Sequence, residues 1–444
     1  MSQKLKSKNN LITIRDSVHG SISVTSLELE LIEQPAFQRL RNIKQLAFTD
    51  LAFPGATHSR YSHSIGAMHL ATRVFDNLFA NIDLPHDVQM RFRQTVRLAM
   101  LLHDIGHSPL SHTTEMMMPQ VMNLDLKSYQ FGKQERQATH EDYTLKLITD
   151  SSFSHKILQL FGDDGVTLSN IAELINDKVT GNGFIHQDIN YAPALRQIVT
   201  SECDADRMDY LQRDSFYCGV NYGKFDTDWL IDNIVPVEQN NSVYLGIKSR
   251  AIFSFEDFLL SRYHMFASVY LHYTPVIFEK LLQKYMREES SEFSLPSDIE
   301  QYITQDDLDI WQALRQSKNP WARRIVERKP YFLLYECHLE TSPEKREIDK
   351  EALYQYLLDE KIDCIQTRSK SILSKYVGQG TNPLYVVTKT NQIILLGDYT
   401  TLYTRYKNPA VFHRIYVAPE QKDQALNILA TFIDERSADG TKTS

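Results

Sequence analysis

The chain has 444 residues, 42% of them apolar, enough for one large folded unit with a smaller one beside it. Forty-eight Lys+Arg against 56 Asp+Glu leave a net charge of −8, which argues against a broad basic face for duplex nucleic acid while leaving room for a local cationic pocket. No apolar run approaches membrane-spanning length, MSQKLKSKNN at the start lacks the apolar stretch of a signal peptide, and the four cysteines form no C-x-x-C pair, so a cytoplasmic protein with reduced thiols and no membrane partner is expected.

In chain order, most of residues 27–285 reads as helix. QPAFQRLRNIKQL (34–46) repeats apolar residues at helical spacing. SRYSHSIGAMHLATRVFDNLF (59–79) places His63 at the head of an apolar stripe continued by Ala67, Leu70, Ala71, Val74 and Leu78. TVRLAMLLHDIGH (95–107) is apolar on nearly every side, as a central helix would be, and ends in polar groups. The stretch 253–286 is long and amphipathic, and Pro275 predicts a kink or break within it. The polar REESSEFSLPSD (287–298) marks a boundary between a core of residues 1–290 and a C-terminal region of 291–444. In that region NPLYVVTKTNQIILLGD (382–398) predicts two strands around a Thr-Asn turn. FHRIYVAPEQKDQALNILATFI (412–433) predicts a strand and a helix beginning near Pro419, and the tail 437–444 reads as disordered. The fold class is mainly α, a helical core with a smaller C-terminal α+β region.

The chemistry concentrates in LLHDIGHSPLSH (101–112). An unpartnered carboxylate buried at the end of an apolar helix is costly, so Asp104 needs either a cleft or a cation. Neighbouring His103 and Asp104 point about 100° apart on a helix, yet both reach an ion lying between their directions. In DADRMDYLQRD (204–214), Asp206, Tyr210 and Asp214 recur every four residues and share a face. Taken singly, a histidine such as His63 is more often a satisfied core residue than a ligand, and the acidic repeat also fits a solvated face. Two apolar helices bearing His and His-Asp, with a third bearing Asp, favour a metal site.

These residues, His63, His103-Asp104 and Asp206, resemble the H…HD…D signature of the HD-domain phosphohydrolases. DSVHGSISV (16–24), QPAFQRLRNIKQL (34–46), FPGATHSRYSHSIG (53–66), HDIGHSPLSH (103–112), THED (139–142) and DADRMDYLQRD (204–214) resemble, in the same order, the HD-domain dNTP triphosphohydrolases. The resemblance implies an HD-domain helical core. It makes His63, His103, Asp104 and Asp206 the ligands of a divalent metal, with mixed N/O ligation suiting Mn, Fe or Zn better than Mg. It implies that His112 assists departure of the 5′-oxygen, that His107 and His140 contact phosphate, and that Glu115 orients the imidazolium. Arg60, Arg207 and Arg262 fall at phosphate-contacting positions, Arg207 where the human member has lysine. Gln45, Tyr210, Asp214 and Tyr270 fall at contacts to sugar and base. Glu33, Gln38, Arg41, Lys248 and Arg250 fall at positions that bind an activating nucleotide, with Glu33 replacing the human member's Asp. The implied activity is conversion of a dNTP and water to deoxynucleoside and inorganic triphosphate, with activation by dGTP and a homotetramer. The competing readings are an HD phosphohydrolase acting on other nucleotides, and a non-catalytic nucleotide sensor or single-stranded nucleic-acid binder. The C-terminal region, lacking a catalytic constellation, is assigned to assembly and regulation.

Overall fold

The computed structural model describes residues 10–126, 135–288, 293–338, 348–371, 383–402 and 410–440. An N-terminal hairpin, β1 (Leu11–Asp16) and β2 (Gly20–Thr25), leads into the helical core. That core is built on α1 (Arg60–Phe79), α2 (His86–Leu102), α3 (His140–Thr149) and α4 (Ala205–Cys218). The apolar stripe headed by His63 is buried along the length of α1, and every residue of α2 from Thr95 to Leu102 is buried, as a helix enclosed on all sides requires. Gly66 lets α4 cross α1 closely: a Cβ there would collide with Asp209 Oδ1 and Arg213 Nη2.

Two expected helices differ. Residues 34–46 form only a short helix, Pro35–Gln38, and a 3₁₀ turn, Arg39–Asn42, before Lys44 bridges Ser59 in an extended conformation. The apolar spacing there serves burial of Phe37, Leu40 and Ile43 by a tight turn instead of a helix. The long 253–286 stretch breaks as Pro275 predicts, but slightly earlier. Helix α5 (Ile252–Met265) passes through a π-turn at Phe266–Tyr270, and α6 (Tyr273–Arg287) restarts with the proline in its first turn, where no N–H is missed.

A mixed sheet joins distant parts of the chain. Short strands β3 (Ile185–His186) and β4 (Ile189–Asn190) and the hairpin β5 (Ile234–Gln239) and β6 (Ser242–Lys248) meet β9 (Tyr385–Val387) and β10 (Ile393–Leu395) in the order β10-β9-β6-β4-β3, with β5 on β6. Strands β9 and β10 flank Asn391, which is left-handed, the pair of strands and turn expected at 382–398; residue 382 lies outside the described residues. Tyr302, Ile310, Leu314, Leu384 and Val386 belong to the same apolar cluster as α1 and α2, so the main core continues past residue 290. Its later portion includes α7 (Asp307–Gln316). A second apolar cluster centres on Leu353, Leu357, Ile415 and Val417. It lies among the antiparallel sheet β7 (Phe332–His338)-β11 (Ala410–Val417)-β8 (Cys364–Ser371), α8 (Lys350–Asp359) and α9 (Lys422–Gly440). Helix α9 runs through Gly440, so 437–440 are helical where a disordered tail is expected; 441–444 lie outside the described residues. Part of the 287–298 boundary, residues 289–292, also lies outside them. The fold is mainly helical with a smaller α+β region at the C-terminus, as the sequence predicts. No helix among the described residues is long and apolar enough to cross a membrane.

Candidate metal and phosphate site

Helix α2 stops at Leu102, which leaves His103 at its C-cap and turns Asp104 toward α1 and α4. His63 Nε2 lies 3.0 Å from Asp206 Oδ1 and 3.6 Å from Asp104 Oδ2, and His103 Nε2 lies 3.4 Å from both Asp206 Oδ1 and Asp104 Oδ1. The orientation of both rings is set from behind. His63 Nδ1 is 2.8 Å from Asp209 Oδ2, and His103 Nδ1 is 2.7 Å from the Met100 carbonyl. Both partners are acceptors, so each Nδ1 carries a proton, and either ring, once its Nε2 is free of a proton, presents that lone pair inward. Those two Nε2 atoms are buried and have no hydrogen-bond partner. Two lone pairs and two carboxylates brought this close repel one another unless a proton or a metal ion sits among them. The donor set therefore fits a divalent ion of the Mn, Fe or Zn type.

The charges fit the same arrangement. Burial opposes the imidazolium form of His63, yet Asp206 and Asp209 hold its pKa up to about 10. Burial likewise opposes ionisation of Asp104, but Arg60, then His103 and His107, hold its carboxyl well below the usual range. Asp206 is also depressed against its burial, by His103 and His63.

A second cluster adjoins the first. His107 Nε2 is 3.3 Å from Asp104 Oδ1. The His107 ring stacks on His140 with centroids 3.9 Å apart and meets His112 edge-on at 4.7 Å. Glu115 ties the group together: Oε2 lies 3.2 Å from His112 Nδ1, while Oε1 bonds His140 Nδ1 and accepts its backbone N–H at 3.2 Å. His140 is the first residue of α3, where the helix end favours the Glu115 charge. Burial, then the nearby Arg60 and His140, push His107 well below the ordinary histidine range, so it is neutral. Burial opposes the Glu115 carboxylate, but its bonds to His112 and His140 hold it ionised. The His112 side chain is 65% exposed, so it can meet a ligand.

Most of the remaining expected residues are engaged with partners of their own. Arg60 is buried, bonded to Asp104 Oδ2 and donating to Ser111 Oγ at 2.8 Å. Arg207 pairs with Asp204 at 2.5 Å, and Arg262 lies 3.5 Å from Glu202. Asp206, Tyr210 and Asp214 share the expected face of α4. Asp214 takes His58 Nε2 on one oxygen and the Tyr270 hydroxyl on the other, each at 2.7 Å, and Tyr210 packs edge-on to Tyr270. Gln45 Oε1 is buried without a partner. Gln38 Oε1 accepts from Arg41 Nε at 2.7 Å, Arg41 lies over the Tyr61 ring, and Glu33 is exposed near them. Lys248 and Arg250 lie on a separate element, at the end of β6 and just beyond it, with Arg250 over Trp229.

Sequence reasoning missed the layer behind the metal site. Asp209 receives His63, His19 Nε2 at 2.6 Å and two nitrogens of the buried Arg213, which also reaches Asp16 at 2.8 Å. The signal was present: Asp209 stands three residues after Asp206, and Arg213 four after Asp209. His58, stacked on Tyr217 and bonded to Asp214, was missed too.

Comparison with known proteins agrees with this geometry. The HD domain family matches residues 60–214, and the HD associated region matches 225–355. An uncharacterized protein of Methanocaldococcus jannaschii is 32% identical over 318 residues, 72% of this chain and 58% of that protein. The deoxynucleoside triphosphate triphosphohydrolase SAMHD1 homolog of Dictyostelium discoideum is 30% identical over 263 residues, 58% of this chain and 46% of that protein. The solved structure of a hypothetical protein from Aquifex aeolicus superposes with a TM-score of 0.73 at 26% identity, covering 95% of this chain and 100% of that one. The chain spans about half the length of the curated relatives it matches. Fold and His/Asp site together define a metal-binding HD-domain protein. The chain carries an HD domain at 60–214 followed by an HD-associated region at 225–355.

Proposed function

We propose that the chain hydrolyses deoxynucleoside triphosphates, releasing deoxynucleoside and inorganic triphosphate. The observation that carries this reading is the junction of the two clusters: His107 touches Asp104, so a phosphate beside the metal ligands is also beside His112 and His140. His63, His103, Asp104 and Asp206 would hold a divalent cation, which supplies Lewis acidity for phosphoryl chemistry and acidifies nearby water. Neutral His107 bonds the phosphate, with His140, stacked on the His107 ring, as a second contact. His112, exposed and steadied by Glu115, delivers a proton to the departing 5′-oxygen. Arg207 and Arg262 extend cationic contacts along the phosphates. Asp214 accepts the sugar 3′-OH by exchanging its bond from Tyr270, while Tyr210 fills the space a 2′-OH would need. The similarity to a deoxynucleoside triphosphate triphosphohydrolase supports the substrate class.

For regulation, we read Glu33, Gln38 and Arg41 from one copy and Lys248 and Arg250 from another as closing on an activating dGTP in a tetramer. Incubating purified protein with each dNTP and Mn²⁺ or Mg²⁺, with and without dGTP, tests the whole reading. Triphosphate as product supports it; monophosphate or pyrophosphate points to another nucleotide hydrolase, and no product to a nucleotide sensor. Mass measurement in solution with and without dGTP tests the tetramer.

A further inference from the structure

The loop joining the two histidine clusters has an unfavourable backbone. Leu110 and Ser111 both have φ of +55°, a left-handed conformation in which a side chain crowds its own backbone. Two such residues in succession persist only where the surroundings over-determine them. Here much of the determination comes from nearly two hundred residues away. Asp307, the first residue of α7, accepts the Leu110 N–H on Oδ1 at 2.7 Å and the Lys44 N–H on Oδ2 at 3.0 Å. Lys44 in turn accepts Ser111 Oγ through its carbonyl at 2.8 Å, and Ser108 Oγ donates to the Ser111 carbonyl at 2.9 Å.

The segment before Asp307 grips the other end of the loop. Tyr302 donates its hydroxyl to the Gly106 carbonyl at 2.7 Å. Arg39 spans the Gln305 and His107 carbonyls at 2.5 and 2.7 Å. Residues 302–307 lie within the HD-associated region and so hold both ends of the strand of chain between the metal ligands and His112. Asp307 itself is buried, and burial pushes its carboxyl up to about 6 despite the two amide donors. A buried carboxylate facing two backbone amides is a costly way to fill space and an effective way to fix a backbone.

We propose that Asp307 is a positioning residue: by accepting the Leu110 and Lys44 amides it fixes the left-handed Leu110–Ser111 turn and thereby places His112 against Glu115 and beside the His107–His140 stack. The HD-associated region thus builds the site as well as flanking it. The effect on turnover rests on the proton-donor reading of His112; the effect on the loop does not.

Asp307→Asn is the test variant, because an amide keeps the volume but offers one acceptor oxygen and turns an NH₂ toward the second backbone donor. Hydrogen exchange over residues 107–116 should quicken by about tenfold or more, with α1 and α4 unchanged. Bound metal should be unchanged. Turnover of a dNTP should fall about tenfold or more at nearly constant KM. Hydrolysis of bis(4-nitrophenyl) phosphate, whose phenolate leaves without a proton, should stay within about twofold of the parent. Tyr302→Phe should show the same pattern more weakly, and its exchange profile decides the matter if Asp307→Asn does not fold. Unchanged loop exchange overturns the proposal, as does loosening of the whole core or equal loss on both substrates. A parent protein that cleaves the nitrophenyl ester and no dNTP would sink the substrate assignment, while the exchange result still decides the role of Asp307.

Discussion

Asp209 Oδ2 lies 2.8 Å from His63 Nδ1, so a residue with no place in the metal's own ligand set fixes which nitrogen that ligand turns inward. The same carboxylate takes His19 and Arg213, tying the N-terminal hairpin to the metal site. Asp209→Asn should lower metal affinity by about 10–100-fold, measured by Mn²⁺ titration with electron paramagnetic resonance. Asp209→Ala should also lower Tm sharply, since His63 is left buried without the acceptor of its Nδ1 and Arg213 keeps only Asp16. Unchanged affinity in Asp209→Asn would show that the ring needs no such support.

Metal binding and proton donation should separate by mutation. Ala at His63, His103, Asp104 or Asp206 should abolish hydrolysis and reduce bound metal in elemental analysis. His112→Ala should keep its metal and lose about 10²–10⁴-fold in kcat. A loss confined to KM would make His112 a binding residue instead.

The close approach of the HD loop to α3 can be tested at one glycine. A Cβ on Gly106 would strike the Thr144 nitrogen and the His140 carbonyl, both backbone atoms that cannot swing aside. Gly106→Ala should therefore push α3 away, costing about 1–3 kcal/mol of stability and unstacking His140 from His107. Activity should fall further than Tm alone explains, and a fully active variant would show that the stack is dispensable.

Metal uptake should depend on pH. In metal-free protein Asp206 and Asp209 hold the buried His63 up to about 10, against an ordinary value of 6.5. Its protonated form therefore stabilises the metal-free fold fully below about pH 6.5, and that contribution is lost as pH rises through about 10. A metal must displace that proton, so its affinity should climb by about tenfold per pH unit between roughly 7 and 9. Calorimetry in two buffers of different ionisation heat should count about one proton released; none released would contradict a protonated His63.

Sugar discrimination is the sharpest test of substrate class. Tyr210→Ala should weaken dNTP binding yet let ribonucleotides compete better, narrowing the ratio of kcat/KM for dGTP over GTP. Asp214→Ala should raise KM for dNTPs and improve relative tolerance of 3′-deoxy analogues. If Tyr210→Ala lowers Tm and all activities together with the ratio unchanged, the ring is packing alone.

What the sequence determined by itself was the chemistry carried by local spacing. His103-Asp104 at the end of an apolar helix, the period-four face of Asp206, Tyr210 and Asp214, and the break near Pro275 all follow from residues a few positions apart. The structure places each where spacing put it. Residues 34–46 show the limit of that reasoning: helical spacing buried Phe37, Leu40 and Ile43, yet the chain turned at Arg39 to give its guanidinium to the carbonyls of His107 and Gln305. Contacts of that kind, together with Asp209 behind His63, His58 on Asp214 and Asp307 beneath Leu110, were decided only by the tertiary structure. A buried charge must find its partner somewhere, but that requirement does not say where along the chain the partner lies. Asp307 looks like any acidic residue at a helix start until folding sets it against the Leu110 amide.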